Sequence, residues 1–319
     1  MDMRGGNLFS FHLWRKLQSY PELDLIHLHT SKRLGGIARN VAQNRGIPYV
    51  VSLHGGLNDV PAEEARAWTQ PTTGTIEWGK ALGWWVGSRR VMDDAAAILC
   101  VGQRECELTQ ERYPDKRVLH LPNGVDLAKF EKGDGVEFRK KYNIPEDRFL
   151  AATIARIDPQ KNQKLAVEAL DRLLKTSDSK THLLLIGHVT NDGYHAELNK
   201  LIKERGCEDR VTLITGLDPS SDDLINAYHA ADLFVLPSNH EPFGIVILEA
   251  WAAGLPVVAT DVGGASSLVD DGEDGLLVQS KDDEGLARVI GELKRSRERR
   301  NQLAARGFLK ARDEYSWDR

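Results

Sequence analysis

Short apolar runs alternate with stretches of helical periodicity along the whole chain. In the first part, the runs over 24–29 (DLIHLH), 49–53, 96–101 (AAILCV) and 117–121 predict strands. Segments 34–44 and 104–112 predict helices, the first ended by Gly46 and Pro48, and the N-terminus predicts a loop running into an amphipathic helix. A polar stretch with Gly133 and Gly135 follows, a candidate hinge. The rhythm then restarts, with strands predicted over 149–154, 182–186, 211–215, 233–236, 257–259 and 275–278. Helices are predicted over 163–174, 194–205, 222–229 and 245–253, and two more close the chain. Such alternation means parallel sheets covered by helices, and right-handed crossovers make them doubly wound and Rossmann-like. The pattern predicts two α/β domains, 1–140 and 141–319, with ligands bound beyond the carboxyl ends of the strands.

Composition removes several function classes. A length of 319 residues fits two domains of about 100–200 residues. The 42 Lys and Arg against 47 Asp and Glu give a net charge of −5, without the basic surplus that nucleic-acid binding needs. No apolar run reaches the roughly 18 residues of a membrane span, and the N-terminus lacks the pattern of a signal peptide. Cys100, Cys106 and Cys207 form no C-x-x-C pair, which argues against a disulfide framework or a thiolate zinc site and fits a reducing, cytoplasmic compartment. No G-x-G-x-x-G follows a strand, and no GK[ST] or Asp-x-Asp occurs. A dinucleotide dehydrogenase, a P-loop and a carboxylate-held divalent metal therefore have no signature.

Three strand ends of the second half carry candidate chemistry. The first, 155–162, places Arg156 and Lys161 on a Pro-containing turn, two cations that suit a diphosphate or are ordinary surface charges. The second runs from Pro237 through Glu241 and Gly244 into a helix that carries Glu249. Free amides at that helix start form an anion site, and a lone Glu in the run IVILEAWAAG is costly unless it is paired or meets a ligand. The plainer reading is a Glu that reaches the helix surface. The third, Thr260 to Ala265 with Gly263-Gly264, is a phosphate contact or, the favoured reading, only a tight turn.

In order along the chain, Arg156 and Lys161, Glu241-x7-Glu249 with Phe243-Gly244 inside, the Gly254-Leu-Pro-Val-Val-Ala-Thr run and Gly263-Gly264 resemble the retaining family-4 glycosyltransferases of the GT-B fold. Asn123-Gly124-Val125-Asp126 resembles their interdomain segment, and His27-Leu-His29 and Ser52-Leu-His54-Gly55-Gly56 resemble strand ends of their first domain. The match runs from about residue 23 to the end. The resemblance implies two Rossmann-like domains facing a cleft, an acceptor side and a donor side. It implies that Arg156 and Lys161 hold the donor diphosphate and that Glu249 takes the ribose. Glu241, with the amides of Phe243, Gly244 and Ile245, would hold the donor sugar. The base would lie near Gly187 and the Thr215-Gly216-Leu217 strand end, and His54 would face the sugar. The implied reaction moves a hexose-type sugar from a nucleoside-diphosphate sugar to a glycan or lipid-linked acceptor with retention, without a metal or other cofactor, as in cell-envelope or exopolysaccharide assembly. No strand precedes Gly5-Gly6 to carry the family's first Gly-rich loop, and the chain stops at Trp317-Asp-Arg319, where the family's closing helix would begin. Against the family pattern, the first domain lacks its first βα unit and both ends look cut. A non-catalytic nucleotide-sugar-binding fragment and a same-fold epimerase or phosphorylase are the alternatives.

Other features point less sharply. His27, His29 and His54 do not share a helix face, and their spacing favours no metal. Trp68, Trp78, Trp84 and Trp85, followed by Arg89 and Arg90, read as local core, an acceptor platform or a peripheral membrane contact, with core the commonest outcome. The basic run 294–300 (KRSRERR) reads as a solvated helix face.

Overall fold

The computed structural model describes residues 9–55, 83–176, 180–218 and 220–318. They belong to two compact units, Met1–Pro122 and Asn123–Arg319. The division falls ahead of the expected 140/141 boundary, because the polar stretch expected as a hinge packs into the second unit. A Cβ on Gly133 would lie 2.9 Å from His229 Cγ and still closer to its Cδ2, and one on Gly135 would lie 2.5 Å from the His229 carbonyl carbon. The Asp134 amide donates to Asn226 Oδ1 at 2.7 Å, and Arg139 donates to the carbonyls of Ala230 and Arg148. These glycines serve close approach rather than chain freedom.

The first unit holds a four-stranded parallel sheet in chain order: β1 (Ile26–Leu28), β2 (Tyr49–Leu53), β3 (Ala97–Cys100) and β4 (Val118–His120). The helix Arg33–Arg45 crosses from β1 to β2 and ends where Gly46 takes the left-handed conformation at φ 67°. Its inner face buries Ile37, Ala38, Val41 and Ala42, and Ala38 and Ala42 pack with Val51 and Ile98 of the sheet. Its one buried cation, Arg39, is engaged by Asp94.

The second unit holds six parallel strands: β5 (Phe149–Ile154), β6 (Thr181–Ile186), β7 (Val211–Ile214), β8 (Leu233–Leu236), β9 (Val257–Thr260) and β10 (Leu276–Val278). Their order, β10-β9-β8-β5-β6-β7, is that of a Rossmann sheet. Every residue of β5, β6, β8 and β9 is buried, which is why these strands read as mostly apolar runs, interrupted by Thr153, Thr181, His182 and Thr260. β5 and β8 are neighbours without being consecutive, with Ala151 opposite Leu233, so the sheet changes its direction of growth between them. That switch point is where a doubly wound sheet opens a crevice. Helices Gln163–Lys175 and Asp283–Arg295 bury Leu165, Leu170, Leu286 and Ile290 against the sheet.

Several helix starts in this unit are capped by a side chain, among them those at Asp134, Asn191, Asp282 and Ser296. Asn191 Oδ1 accepts from the Tyr194 amide at 2.9 Å and starts the helix Asp192–Glu204. Asn191→Ala is expected to lower unfolding stability by about 1 kcal/mol, read from urea denaturation. The basic run over 294–300 is solvated at Arg295, Arg297 and Glu298, while Arg299 and Arg300 are partly buried and engaged. The helix breaks at Ser296, Arg299 donates to the Gly272 carbonyl at 2.7 Å, and Arg300 donates to the Lys294 carbonyl at 2.9 Å. Among the tryptophans, Trp84 and Trp85 are exposed, so the core reading fails for both; Trp68 and Trp78 lie outside the described residues. No helix among the described residues is long and apolar enough to cross a membrane.

Candidate functional site

The switch point brings the first two strand ends together. Beyond β5, the turn is organised by buried Asp158, which accepts from the Lys161 amide and from Thr190 Oγ1, each at 3.0 Å. Asn162 closes it in the left-handed region at φ 50°. Gln163, on the next helix, donates to the Arg156 carbonyl at 2.8 Å. Asn239, beyond β8, stitches the two loops: its amide donates to the Gln160 carbonyl and its side chain to the Pro159 carbonyl, both at 2.8 Å. Sequence reasoning missed Asn239, whose only signal is its place after a strand.

This stitching sets Lys161 against Glu241, with Nζ to Oε2 at 2.6 Å and side-chain exposures of 13% and 6%. Ser238 donates to the same oxygen at 3.3 Å. A pair this buried loses most of its Coulomb gain to desolvation, so it is weak evidence for a purely stabilising role. Arg156 stays half exposed and holds Asp158 at 3.2 Å and Gln160 at 2.8 Å. Both expected diphosphate cations are therefore engaged by acids in the structure. An anion taken up at this edge must share them or displace their partners.

Gly244 precedes the helix Ile245–Ala252 in the left-handed conformation at φ 98°. The first amides of such a helix have no intrahelical acceptor and carry its positive dipole end. Ile245 is exposed, whereas Phe243 is buried with its ring edge-on to Tyr315, leaving its backbone as the part that can face a ligand. The third strand end serves the second: the Gly264 amide donates to the Glu241 carbonyl at 2.5 Å, and a Cβ on Gly264 would lie 2.6 Å from the Phe243 nitrogen. Gly263-Gly264 thus opens the helix Gly263–Leu268 and supports the Glu241 loop.

Glu249 lies partly buried on the same helix, and Tyr228 Oη donates to its Oε2 at 2.7 Å. Burial pushes its carboxyl above the usual range, against the Tyr228 hydrogen bond and the Lys129 charge, which pull it down. Gly187 ends β6 so close to β5 that a Cβ there would lie 3.2 Å from the Arg156 Cα. Gly216, after β7 at φ 136°, lies against the His188 ring, and Leu217 follows it, half-buried. Gly187 therefore adjoins Arg156, while Gly216 and Leu217 sit on the neighbouring strand end.

His54 belongs to the first unit. His29 Nδ1 and His54 Nε2 are 2.7 Å apart, and His27 Nε2 lies 2.7 Å from Ser52 Oγ. Buried Glu105 accepts from the Gly55 amide at 3.1 Å and holds the loop after His54. No cluster among the described residues could hold a metal ion. Burial and then the His29 charge lower the pKa of both His27 and His54. In the second unit, burial and then Arg148 lower His182 to about 4. All three folded values lie below the unfolded value near 6.5, so the unfolded chain binds more protons below that pH. Stability is expected to be fully present above about pH 6.5 and to fall as pH drops towards about 4. Thermal melting between pH 7.5 and 5 checks this, and His182→Gln should flatten the fall.

The model for glycosyl transferases group 1 matches residues 135–309, and that for glycosyltransferase family 4 matches residues 2–129. The chain belongs to the glycosyl transferases group 1. Relatives of this glycosyltransferase chain include the D-inositol 3-phosphate glycosyltransferase of Stackebrandtia nassauensis, 31% identical over 303 residues, covering 92% of this chain and 65% of that protein. That of Nocardia farcinica is 31% identical over 310 residues, covering 95% and 65%. The chain thus spans slightly less than two thirds of the length of these relatives. Among solved structures, Anabaena Alr3699/HepE in complex with UDP and glucose superposes with TM-score 0.77 at 22% identity, over 95% of this chain and 77% of that one. Sucrose-phosphate synthase from Thermosynechococcus elongatus gives 0.76 at 23%, over 96% and 73%. At such identities the likeness is one of fold, and the fold of this group 1 glycosyltransferase is GT-B, with a Rossmann-like parallel sheet in each unit.

Proposed function

We propose that the chain is a retaining hexosyltransferase that takes its sugar from a nucleoside-diphosphate sugar. The observation that carries this reading is the meeting of Lys161 and Glu241 at the β5/β8 switch point, at the start of the helix Ile245–Ala252. In the proposed reaction, the bond from the anomeric carbon to the diphosphate oxygen breaks. An acceptor hydroxyl oxygen attacks from the face of departure, and its proton passes to the leaving phosphate. Arg156, Lys161 and the helix amides meet the charge that develops on that phosphate, so side chains and backbone supply what a metal would otherwise supply. Glu241 and the backbone at Phe243, Gly244 and Ile245 hold sugar hydroxyls, Glu249 takes the ribose, and Gly187, Gly216 and Leu217 border the base. The names of the curated relatives add an inositol phosphate to the acceptors worth offering, beside glycans and lipid-linked sugars.

The test is incubation with UDP- and GDP-hexoses and these acceptors, read by mass spectrometry and by NMR of the new linkage. A glycosylated acceptor with the donor's anomeric configuration is the expected product. Isomerised donor would assign an epimerase, sugar phosphate a phosphorylase, and binding without any product a nucleotide-sugar-binding role.

A further inference from the structure

We propose that Tyr228 is a positioning residue for Glu249 and sets how far the donor site distinguishes a ribonucleotide from one that lacks the 2′- and 3′-hydroxyls. This rests on the reading of Glu249 as the ribose ligand. Tyr228 lies on the helix Asp223–Ala230 and is completely buried. Its ring is held edge-on by Phe130, with centroids 5.5 Å apart, and lies 5.9 Å from Phe234. The hydroxyl therefore points in one direction, and at its end lies Glu249 Oε2, 2.7 Å away.

An ionised carboxylate offers about four acceptor positions on two oxygens. Tyr228 takes one and fixes the carboxylate plane. The remaining positions are then offered in a set direction, which suits two hydroxyls on adjacent ribose carbons. A Glu without that anchor would have to give up its rotamer freedom when the nucleotide binds. Lys129 adds a charge that favours the ionised form. It sits on the short helix Leu127–Phe130, which also supplies the Phe130 ring that clamps Tyr228. One short helix thus holds the tyrosine and biases the acid. A core position needing only volume would be filled by Phe without the cost of burying a hydroxyl. Tyrosine here implies that the orientation of the acid matters.

Calorimetric titration of UDP, GDP and their 2′,3′-dideoxy counterparts tests this on the wild-type chain, Tyr228→Phe, Glu249→Gln and the double variant, with thermal melting as the check on folding. The wild type is expected to prefer the ribonucleotide. Tyr228→Phe should lose about tenfold in ribonucleotide affinity, the worth of a hydrogen bond to a charged group, and leave the dideoxynucleotide unchanged. The double variant should match Glu249→Gln. Should Tyr228→Phe not fold, Glu249→Asp, which keeps the charge but draws it away from Tyr228, is expected to lose the ribose preference. Equal loss on both nucleotides, no loss on either, or a preference kept by Glu249→Asp would overturn the proposal. A wild type that binds no nucleoside diphosphate, or shows no ribose preference, would overturn the Glu249 reading and this proposal with it. A preference lost in Glu249→Gln and kept in Tyr228→Phe would overturn the role of Tyr228 alone.

Discussion

Lys161→Ala is expected to lower sugar transfer by about 10²–10³-fold, the usual consequence of losing one preorganised contact to a developing anion. The same change should destabilise the protein by about 3 kcal/mol, because it leaves the Glu241 carboxylate buried without its cation. The double variant Lys161→Ala/Glu241→Gln tests the cause of the stability loss. Neutralising Glu241 removes the stranded charge, so stability should largely return while transfer stays low. Urea denaturation and initial rates on the same preparations measure both. Lys161→Ala with wild-type rates would remove Lys161 from the chemistry and reduce the pair to a structural contact.

Gly264→Ala carries the second large effect, through the Glu241 loop that this residue supports. Its added methyl would lie 2.6 Å from the Phe243 nitrogen and still closer to the Pro242 carbonyl, both backbone atoms that cannot turn aside. The turn carrying Glu241 and Phe243 must shift, and the Gly264 amide bond to the Glu241 carbonyl must lengthen or break. A displacement near 1 Å in such a turn costs about 10²-fold in rate. The expected result is a chain that melts a few degrees lower and transfers sugar about a hundredfold more slowly. An unchanged rate would show that the Glu241 loop tolerates movement and that its present position is not required.

The strands of the second unit were legible wherever burial on both faces left a mostly apolar run, as in β5 and β8, predicted with their observed bounds. The unit boundary was not legible. Glycines at 133 and 135 in a polar stretch look like a linker, and a one-dimensional pattern cannot tell a glycine that frees the chain from one that admits His229. Glu249 stood out as an acid in an apolar helix, but its partner did not. Tyr228 belongs to another helix, and only the fold brings the two together. The His29–His54 contact was hidden for a similar reason, since the pairing of β1 with β2 decides which strand-end residues meet. The engagement of Lys161 by Glu241 adds what spacing could not convey: the cations expected to hold phosphate are already paired with acids.

On the proposed function, the carboxyl edge of the second sheet takes up a nucleoside diphosphate through Lys161 and Glu249. Calorimetric titration of the wild-type chain with UDP and GDP side by side, repeated on Glu249→Ala, tests it most directly. Saturable binding of one nucleotide, lost in the variant, is the predicted result and identifies the base. Binding of neither, or equal binding by the wild type and Glu249→Ala, would remove the nucleotide from this edge of the sheet.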